Sequence, residues 1–497
     1  MINEPRHLKM VRTSVGRKAC FARPAIIPHH NARASSGNGS KSDFLSFLMK
    51  TRRPPFGLRY GLGLLVAWVM FQPWATAQDM HFMPRDHRLG DVHPFFHEGE
   101  CFLYYLKPGK YEAMLVRSRD LLHWTETPLT HDAAKPDDLM SPYFVLGVFQ
   151  DPSAKGFRSF YGHAQGRMAS SVSHDLLHWS CAPKEIHIPA ADYYQRRRDP
   201  FVFWIPEMKQ YGCVMTTWMK GRPKETCGAV SFATSPDLKQ WKDHGPILYP
   251  GTIGEPECPQ MFRLGGRWYL LASIYDRAVG PPAYWTSTSP LGPWKKEPEG
   301  MLDGKDLCAA QIAFEGETPL LFGWIPLDPA RPNKQTWGGH LALPREVYAR
   351  PDGKLGTRLP TKLMKYFEKL PWQPNLGEWN RFVSELSIKM PEGVNETRLS
   401  IAPLGEVVIK RDQIRILDAA GECWSELAAD LSMTYPFAVS VFVDGGIVEV
   451  FVDQRYSLAA RLPAKAGSVK FSPKPSTVTS MRFSEWPAPP AVPQSIR

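Results

Sequence analysis

What this chain lacks narrows it first. No stretch holds apolar residues at helical spacing over any sustained length, which points away from helical architectures and toward an all-β protein. None of the eight cysteines falls in C-x-x-C spacing. The seven beyond the first 78 residues (Cys101, Cys181, Cys213, Cys227, Cys258, Cys308 and Cys423) are odd in number and widely scattered. They form neither a disulfide framework nor a zinc site, though a single disulfide stays open. Positive charge is also missing where a nucleic-acid binder would need it. Of the formal +11, twelve basic against two acidic residues before residue 79 account for +10, which leaves about +1 for everything after. The basicity belongs to the leader, and a nucleic-acid partner loses its main support. Nor is there a stable membrane span, since the apolar run from Leu62 to Phe71 is too short to cross a bilayer comfortably.

That run has another reading. Arg52, Arg53 and Arg59 precede it, and Ala75-Thr76-Ala77 follows as a small-x-small cleavage signal before Gln78, as in a secretory signal peptide. Residues 1–78 are therefore read as a leader cleaved near 77/78, and the mature protein as secreted or periplasmic. Met49 is the favoured start, with residues 1–48 an upstream mis-start or a long pre-sequence. Thr51-Arg52-Arg53 has a trace of a twin-arginine signal, weakened by the two prolines after it.

At 497 residues, 43% hydrophobic and 12% aromatic, the chain has the material for a large core and two domains. After Gln78 come short β-rich runs: Cys101–Leu106, Ala113–Ser118, Phe157–His163, Met168–Ser173, Val214–Trp218, Ala229–Thr234, Trp268–Tyr275 and Ala283–Ser287. One phrase recurs among them. Ser118-Arg119-Asp120-Leu121-Leu122-His123-Trp124 returns as Ser173–Trp179, as Ser235–Trp241, and in degraded form as Ser289–Trp294. Its tryptophans step by 55, 62 and 53 residues. A period of this length marks an array of similar units, and four-stranded units closed radially make a β-propeller, here of about five blades over residues 79–355. A long β-sandwich with accidental repeats is the weaker rival. Around Arg350-Pro351-Asp352-Gly353 the rhythm changes, so 356–372 reads as a linker, 373–488 as a β-sandwich and 489–497 as a loose tail. Val439–Asp444, Gly445-Gly446 and Ile447–Val452 form a hairpin with one buried face.

Three acids open strands in different repeats: Asp91 in Gly90-Asp91-Val92-His93, Asp199 in Arg198-Asp199-Pro200, and Glu257 in Glu255-Pro256-Glu257-Cys258-Pro259. In a propeller such positions converge on the central axis, and glycoside cleavage needs a carboxylate on the anomeric carbon and an acid on the leaving oxygen. Residues two apart on a strand share a face, so Glu255 crowds Glu257 and one of them has a raised pKa. Each acid alone is more commonly a turn or strand cap, Cys258 is a packed thiol rather than a nucleophile, and His93 with His97 lacks a third metal ligand. Tyr104, Tyr105, Trp218, Trp285 and Trp324 are candidates for sugar stacking, although core packing explains any one of them as well.

With Asp306–Gln311 and Trp337–Glu346 added to Arg198-Asp199-Pro200 and Glu257-Cys258-Pro259, the chain resembles glycoside hydrolase family 32 over residues 80–485. Asp306-Leu307-Cys308-Ala309-Ala310-Gln311 is similar to the family's D-F-Y-A-x-Q segment, and Trp337–Glu346 to its W-x-G-x-L-S-L-P-R-E. The resemblance implies a five-bladed β-propeller followed by a β-sandwich, with no cofactor and no metal. It implies a retaining hydrolase of β-fructosides such as sucrose and fructans, or a fructosyl transferase on the same scaffold; a propeller that binds carbohydrate without cleaving it is the other alternative. Carried onto this sequence, Asp91 is the nucleophile, Glu257 the acid/base and Asp199 the stabiliser, with Arg198, His93, Asp306, Gln311 and Trp337 binding substrate. The departure lies at the first acid. Where the family carries W-M-N-D-P-N-G, this chain has Gly90 and His93 in place of the two asparagines, and His93 is expected to replace one hydrogen bond. Gln260 stands where the family often has an acid.

Overall fold

The recurrent phrase is a tight corner, and it can be followed bond by bond. The computed structural model describes residues 80–486 apart from 110–111, 132–146, 152–155, 164–166, 182–187, 189–191, 276–279, 329–336, 375–378, 432–434, 464–469 and 474–476. The stretch 1–78, read as a leader, and the tail 489–497 lie outside the described residues. In the first copy the Leu121 N–H donates to Ser118 Oγ (2.8 Å), while Asp120 Oδ1 accepts the N–H groups of Leu122 (3.0 Å) and His123 (2.8 Å). These bonds hold the central leucine in the left-handed region: φ is +70° at Leu121, +66° at Leu176 and +62° at Leu238. The closing tryptophan tucks under the corner, with Trp179 Nε1 donating to Leu176 O (3.3 Å) and Trp241 Nε1 to Leu238 O (3.2 Å). The corner follows the third strand of the first three blades, after Glu112–Ser118, Arg167–Ser173 and Gly228–Ser235.

The blades are sheets built on the innermost strands Gly90–His97, Val148–Asp151, Tyr194–Ile205, Glu255–Leu264 and Cys308–Glu315, antiparallel apart from the parallel pairing of Thr130–His131 with His178–Cys181 at the edge of the second. Each innermost strand packs against the next, and the fifth against the first, so the five sheets close into a ring. Closure is reinforced by Leu89 and Gly339, which exchange backbone hydrogen bonds of 3.1 and 2.9 Å. The fifth blade lacks the recurrent phrase and turns at Asp352-Gly353 between Arg345–Ala349 and Leu355–Arg358.

The stretch read as a linker is ordered: it carries the end of Leu355–Arg358 and the short helix Thr361–Phe367, whose Leu363 and Phe367 are buried. At seven residues the helix is too short to leave a periodic signature in sequence. Two five-stranded sheets then form the sandwich, one containing Arg381–Ile388, Phe437–Asp444, Ile447–Val452, Tyr456–Arg461 and Val478–Glu485. The hairpin differs from expectation, since Ile447–Val452 is buried on both faces. One face joins the sandwich core through Val448, Val450 and Val452, and the other meets propeller residues through Ile447 and Phe451. Among the described residues no helix is long and apolar enough to cross a membrane.

Candidate active site

Each of the three acids sits inside an innermost strand, at a fault in its pairing, rather than before the strand as its turn-like neighbours suggest. The register slips between Gly90 and Val92, between Arg198 and Phe201, and between Glu257 and Gln260, with a fourth slip between Cys308 and Gln311. A bulge of this kind frees one residue from the ladder and re-aims its side chain. Positive φ marks the last three of these places: +55° at Asp199, +49° at Cys258 and +45° at Ala309. The prolines after Asp199 and Cys258 suit a bulge because no ladder hydrogen bond is asked of them.

Arg198 gathers the acids. Its guanidinium contacts Asp199, Glu255 (2.6 Å) and Glu257, and the Arg198 side chain is only 14% exposed. Burial disfavours its charge, but Asp199, Glu257 and Glu255 more than offset that and hold it protonated. Asp199 is almost wholly buried, and its Oδ2 also accepts from Thr216 Oγ1 (3.2 Å) and from the Cys258 N–H (3.2 Å), which ties the third blade to the fourth. Asp91 Oδ1 accepts from two indoles, Trp337 Nε1 (2.9 Å) and Trp324 Nε1 (3.2 Å).

Four carboxyl groups against one guanidinium leave the cluster overcharged. Burial is the main force raising Glu257 to about 7, with Asp199, Asp91 and Glu255 adding to it and Arg198 opposing. The crowding expected from Glu255 is thus a minor contribution. Burial also raises Asp91, with the Trp337 and Trp324 N–H groups working against the rise. The arrangement supplies a carboxylic acid that keeps its proton to near neutrality and, across the cluster, a carboxylate held by two donors.

Of the other expected site residues, Arg198 and Trp337 are in direct contact with the acids. His93 and Gln311 pair with each other, His93 Nδ1 lying 3.2 Å from Gln311 Oε1. Burial lowers His93 to about 4, so it is neutral, and the nearby Asp199 charge places it beside the cluster. Asp306 is the exception. It is fully buried, with one oxygen on Lys305 Nζ (3.1 Å) and the other accepting the Arg461 N–H of the sandwich (2.8 Å), so both oxygens are engaged between the domains. Burial pushes the Cys258 thiol well above its ordinary value, as a packed thiol requires. His97 packs edge-on against Phe157 rather than joining His93. Gln260 bridges both backbone groups of Ile312, donating to its carbonyl (3.1 Å) and accepting its N–H (2.6 Å), which an ionised acid has no donor to do.

Of the aromatic candidates, Tyr104, Tyr105 and Trp285 are core residues. Trp324 is a donor to Asp91 rather than a stacking face. Thr216 was not anticipated, since a threonine inside a β-rich run carries no signal of its own. Tyr275 also escaped notice. It ends the strand paired with Glu255, and burial together with Cys308, Glu257 and Asp91 raises its phenol well above the ordinary value.

Gly90 explains the altered motif. A Cβ there would stand 2.9 Å from Leu106 O and 3.1 Å from the Trp337 indole, so the indole occupies the room that a side chain would need. Gly90→Asn, which restores the family pattern at this position, is expected to displace Trp337 from Asp91 and to cost about 1–3 kcal/mol of stability. Thermal unfolding beside turnover measures both, and a variant with unaltered midpoint and kcat would show that the close approach does not matter.

The sequence profile described as Glycosyl hydrolases family 32 N-terminal domain matches residues 81–358. An extracellular exo-inulinase of Aspergillus niger is 28% identical over 251 residues, covering 41% of this chain and 45% of the relative. That of Aspergillus awamori is 27% identical over 270 residues, covering 44% and 48%. The chain thus spans less than half the length of these curated relatives. Among solved structures, a sucrose-6-phosphate hydrolase of Lactobacillus gasseri superposes with a TM-score of 0.67 at 16% identity, covering 83% of this chain and 94% of that one. The exo-inulinase of Aspergillus awamori gives 0.65 at 18%, covering 82% and 97%. At these identities the likeness is one of fold, a propeller followed by a sandwich. The profile match takes in more than half of the sequence, and the chain belongs to glycosyl hydrolase family 32.

Proposed function

We propose that the protein is a retaining glycosidase that cleaves β-fructosidic bonds of sucrose- or fructan-type carbohydrates. The observation that carries this reading is the pairing of Glu257, protonated to near pH 7, with Asp91, whose charge two indole N–H groups support. Asp91 attacks the anomeric carbon as Glu257 gives its proton to the leaving oxygen, and the glycosidic bond breaks to leave a glycosyl ester on Asp91. Glu257, now ionised, takes a proton from water, and the water oxygen displaces Asp91 from the anomeric carbon with net retention. Arg198 attends Glu257 in its ionised half of the cycle, while Asp199, fixed by Arg198, Thr216 and the Cys258 N–H, accepts from sugar hydroxyls. His93, Gln311 and Trp337 complete the sugar's surroundings, and no step calls for a cofactor. Asp306 is left out of the assignment because both its oxygens are engaged elsewhere.

The names of the relatives, exo-inulinases and a sucrose phosphate hydrolase, favour fructosides as substrates. The word extracellular in them, with the arginines and apolar run of the leader, favours an exported protein. Sugar release from sucrose, inulin, levan and a panel of other glycosides tests the reading. Fructose release supports it, and release only from a non-fructoside keeps the mechanism while replacing the substrate. Transfer to a second sugar in place of water identifies a transferase, and sugar binding without turnover identifies a binding protein.

A further inference from the structure

A second charged cluster lies between propeller and sandwich, apart from the carboxylates already described. Its centre is His81, which has no solvent exposure. His81 Nδ1 lies 3.1 Å from Asp444 Oδ2, its backbone N–H donates to the same oxygen (3.3 Å), and its Nε2 lies 3.4 Å from Glu449 Oε2. Glu449 also accepts the Leu343 N–H (3.1 Å) and pairs with Arg345 (2.8 Å), which is itself bound to Asp303 (3.0 Å). Asp444 and Glu449 belong to the sandwich hairpin, whereas His81, Leu343 and Arg345 belong to two propeller segments, 81–91 and 337–345.

Those two segments are stitched along their length. The Leu341 N–H donates to Phe82 O (2.7 Å), Leu89 and Gly339 exchange bonds in both directions, and at the far end Trp337 Nε1 reaches Asp91. There is no slack at Gly339, where an added Cβ would fall 2.0 Å from Ile325 O.

We propose that His81 is a positioning residue for the reaction: clamped between Asp444 and Glu449, it fixes the register of the segments that present Asp91 and Trp337 to each other. The proposal rests on the reading of Asp91 as nucleophile. It makes the sandwich part of the nucleophile's setting, since the anchoring carboxylates are the sandwich's own. Burial opposes charge on His81, but hydrogen bonds to Asp444 and Glu449 and their negative charge raise it to about 9, so the clamp is ionic at neutral pH. The other charged or titratable neighbours are Arg381, whose Nε pairs with Asp444 Oδ1 (2.8 Å), and His340, which burial keeps neutral.

The test compares the full chain with H81Q, W337F, the double variant and D91N, following release of sugar from sucrose against pH. H81Q is expected to lower kcat about tenfold with KM within about twofold, because misplaced catalytic groups cost rate more than binding. Asp91 is faced by Trp337 and Trp324 as donors, by Asp199 and Glu257 as carboxylates and by Arg198. Loosening Trp337 therefore raises its pKa, and the acid limb of kcat/KM moves to higher pH in H81Q, as in W337F. The double variant should be no more than about twofold worse than W337F, because both remove one coupling. Multiplicative losses, or an unmoved acid limb with unchanged kcat, overturn the proposal. D444N, which removes one of the two counter-charges of His81 and that of Arg381 but keeps an acceptor, is read by the same criteria where H81Q does not accumulate as folded protein. Turnover that survives D91N overturns the nucleophile assignment and this proposal with it. Turnover lost in D91N with multiplicative H81Q and W337F effects overturns only the role of His81.

Discussion

Glu257→Gln is expected to lower kcat/KM on sucrose or a fructan by about 10³-fold, within the range general acid–base catalysis contributes, while the protein stays folded. Glutamine keeps the size of the side chain and can still meet Arg198, but it has no proton to give the leaving oxygen and cannot take one from water. Two signatures separate this from a loss of packing. A fructoside whose leaving group needs no protonation should lose far less in the first step than sucrose does. The pH profile should also change shape. In the parent protein activity falls as pH rises through about 7, because Glu257 must carry its proton to begin the cycle. The opposite limb belongs to Asp91, which must be ionised and so fails as pH drops through its raised value. E257Q removes the first limb and keeps the second. Steady-state profiles across that range decide the matter, and a basic limb near 7 that persists in E257Q would assign the acid elsewhere.

How much of this was legible in the sequence depends on the distance over which each feature is determined. The Ser-x-Asp-Leu corner is local, since its bonds span two or three residues, and so the repeat and the strands around it could be read directly. The acids were legible because Arg198-Asp199-Pro200 and Glu257-Cys258-Pro259 are short phrases, yet the bulges that aim them were not. A bulge is a mismatch between two strands and leaves no fixed pattern in either one. Arg198 was recognisable, whereas its role as common partner of Asp199, Glu255 and Glu257 joins residues up to 59 apart. Asp306 shows the same limit from the other side. Its motif resembled a sugar-binding segment, but Arg461, 155 residues away, supplies the N–H that engages it. The burial of both faces of Ile447–Val452 was likewise invisible, because what covers the second face belongs to the other domain.

Asp91→Ala is expected to have the largest effect of any single substitution, a loss in kcat of at least about 10⁴-fold, since covalent catalysis fails when its nucleophile is removed. Asp91→Asn should lose nearly as much, although its amide oxygen can still accept from Trp337 and Trp324. Geometry alone, on this account, is insufficient without the charge. The two acids act as one unit, so D91N combined with E257Q should be scarcely worse than D91N alone. Stability should move the other way. Asp91 is held in a largely buried cluster beside Asp199 and Glu257, with Arg198 the one cation near it among the described residues, so removing its charge relieves repulsion, and D91N is expected to unfold at a temperature no lower than the parent. The same loss of charge should lower Glu257, which Asp91 helps to raise, although burial remains the main cause of its shift. Steady-state sugar release with thermal unfolding measures the whole pattern. Residual turnover above about 1% of the parent, from a protein free of contaminating enzyme, would exceed what a site without its nucleophile can supply and would move that role to another carboxylate. Turnover lost together with a lowered unfolding temperature would make Asp91 a structural anchor for the two indoles instead.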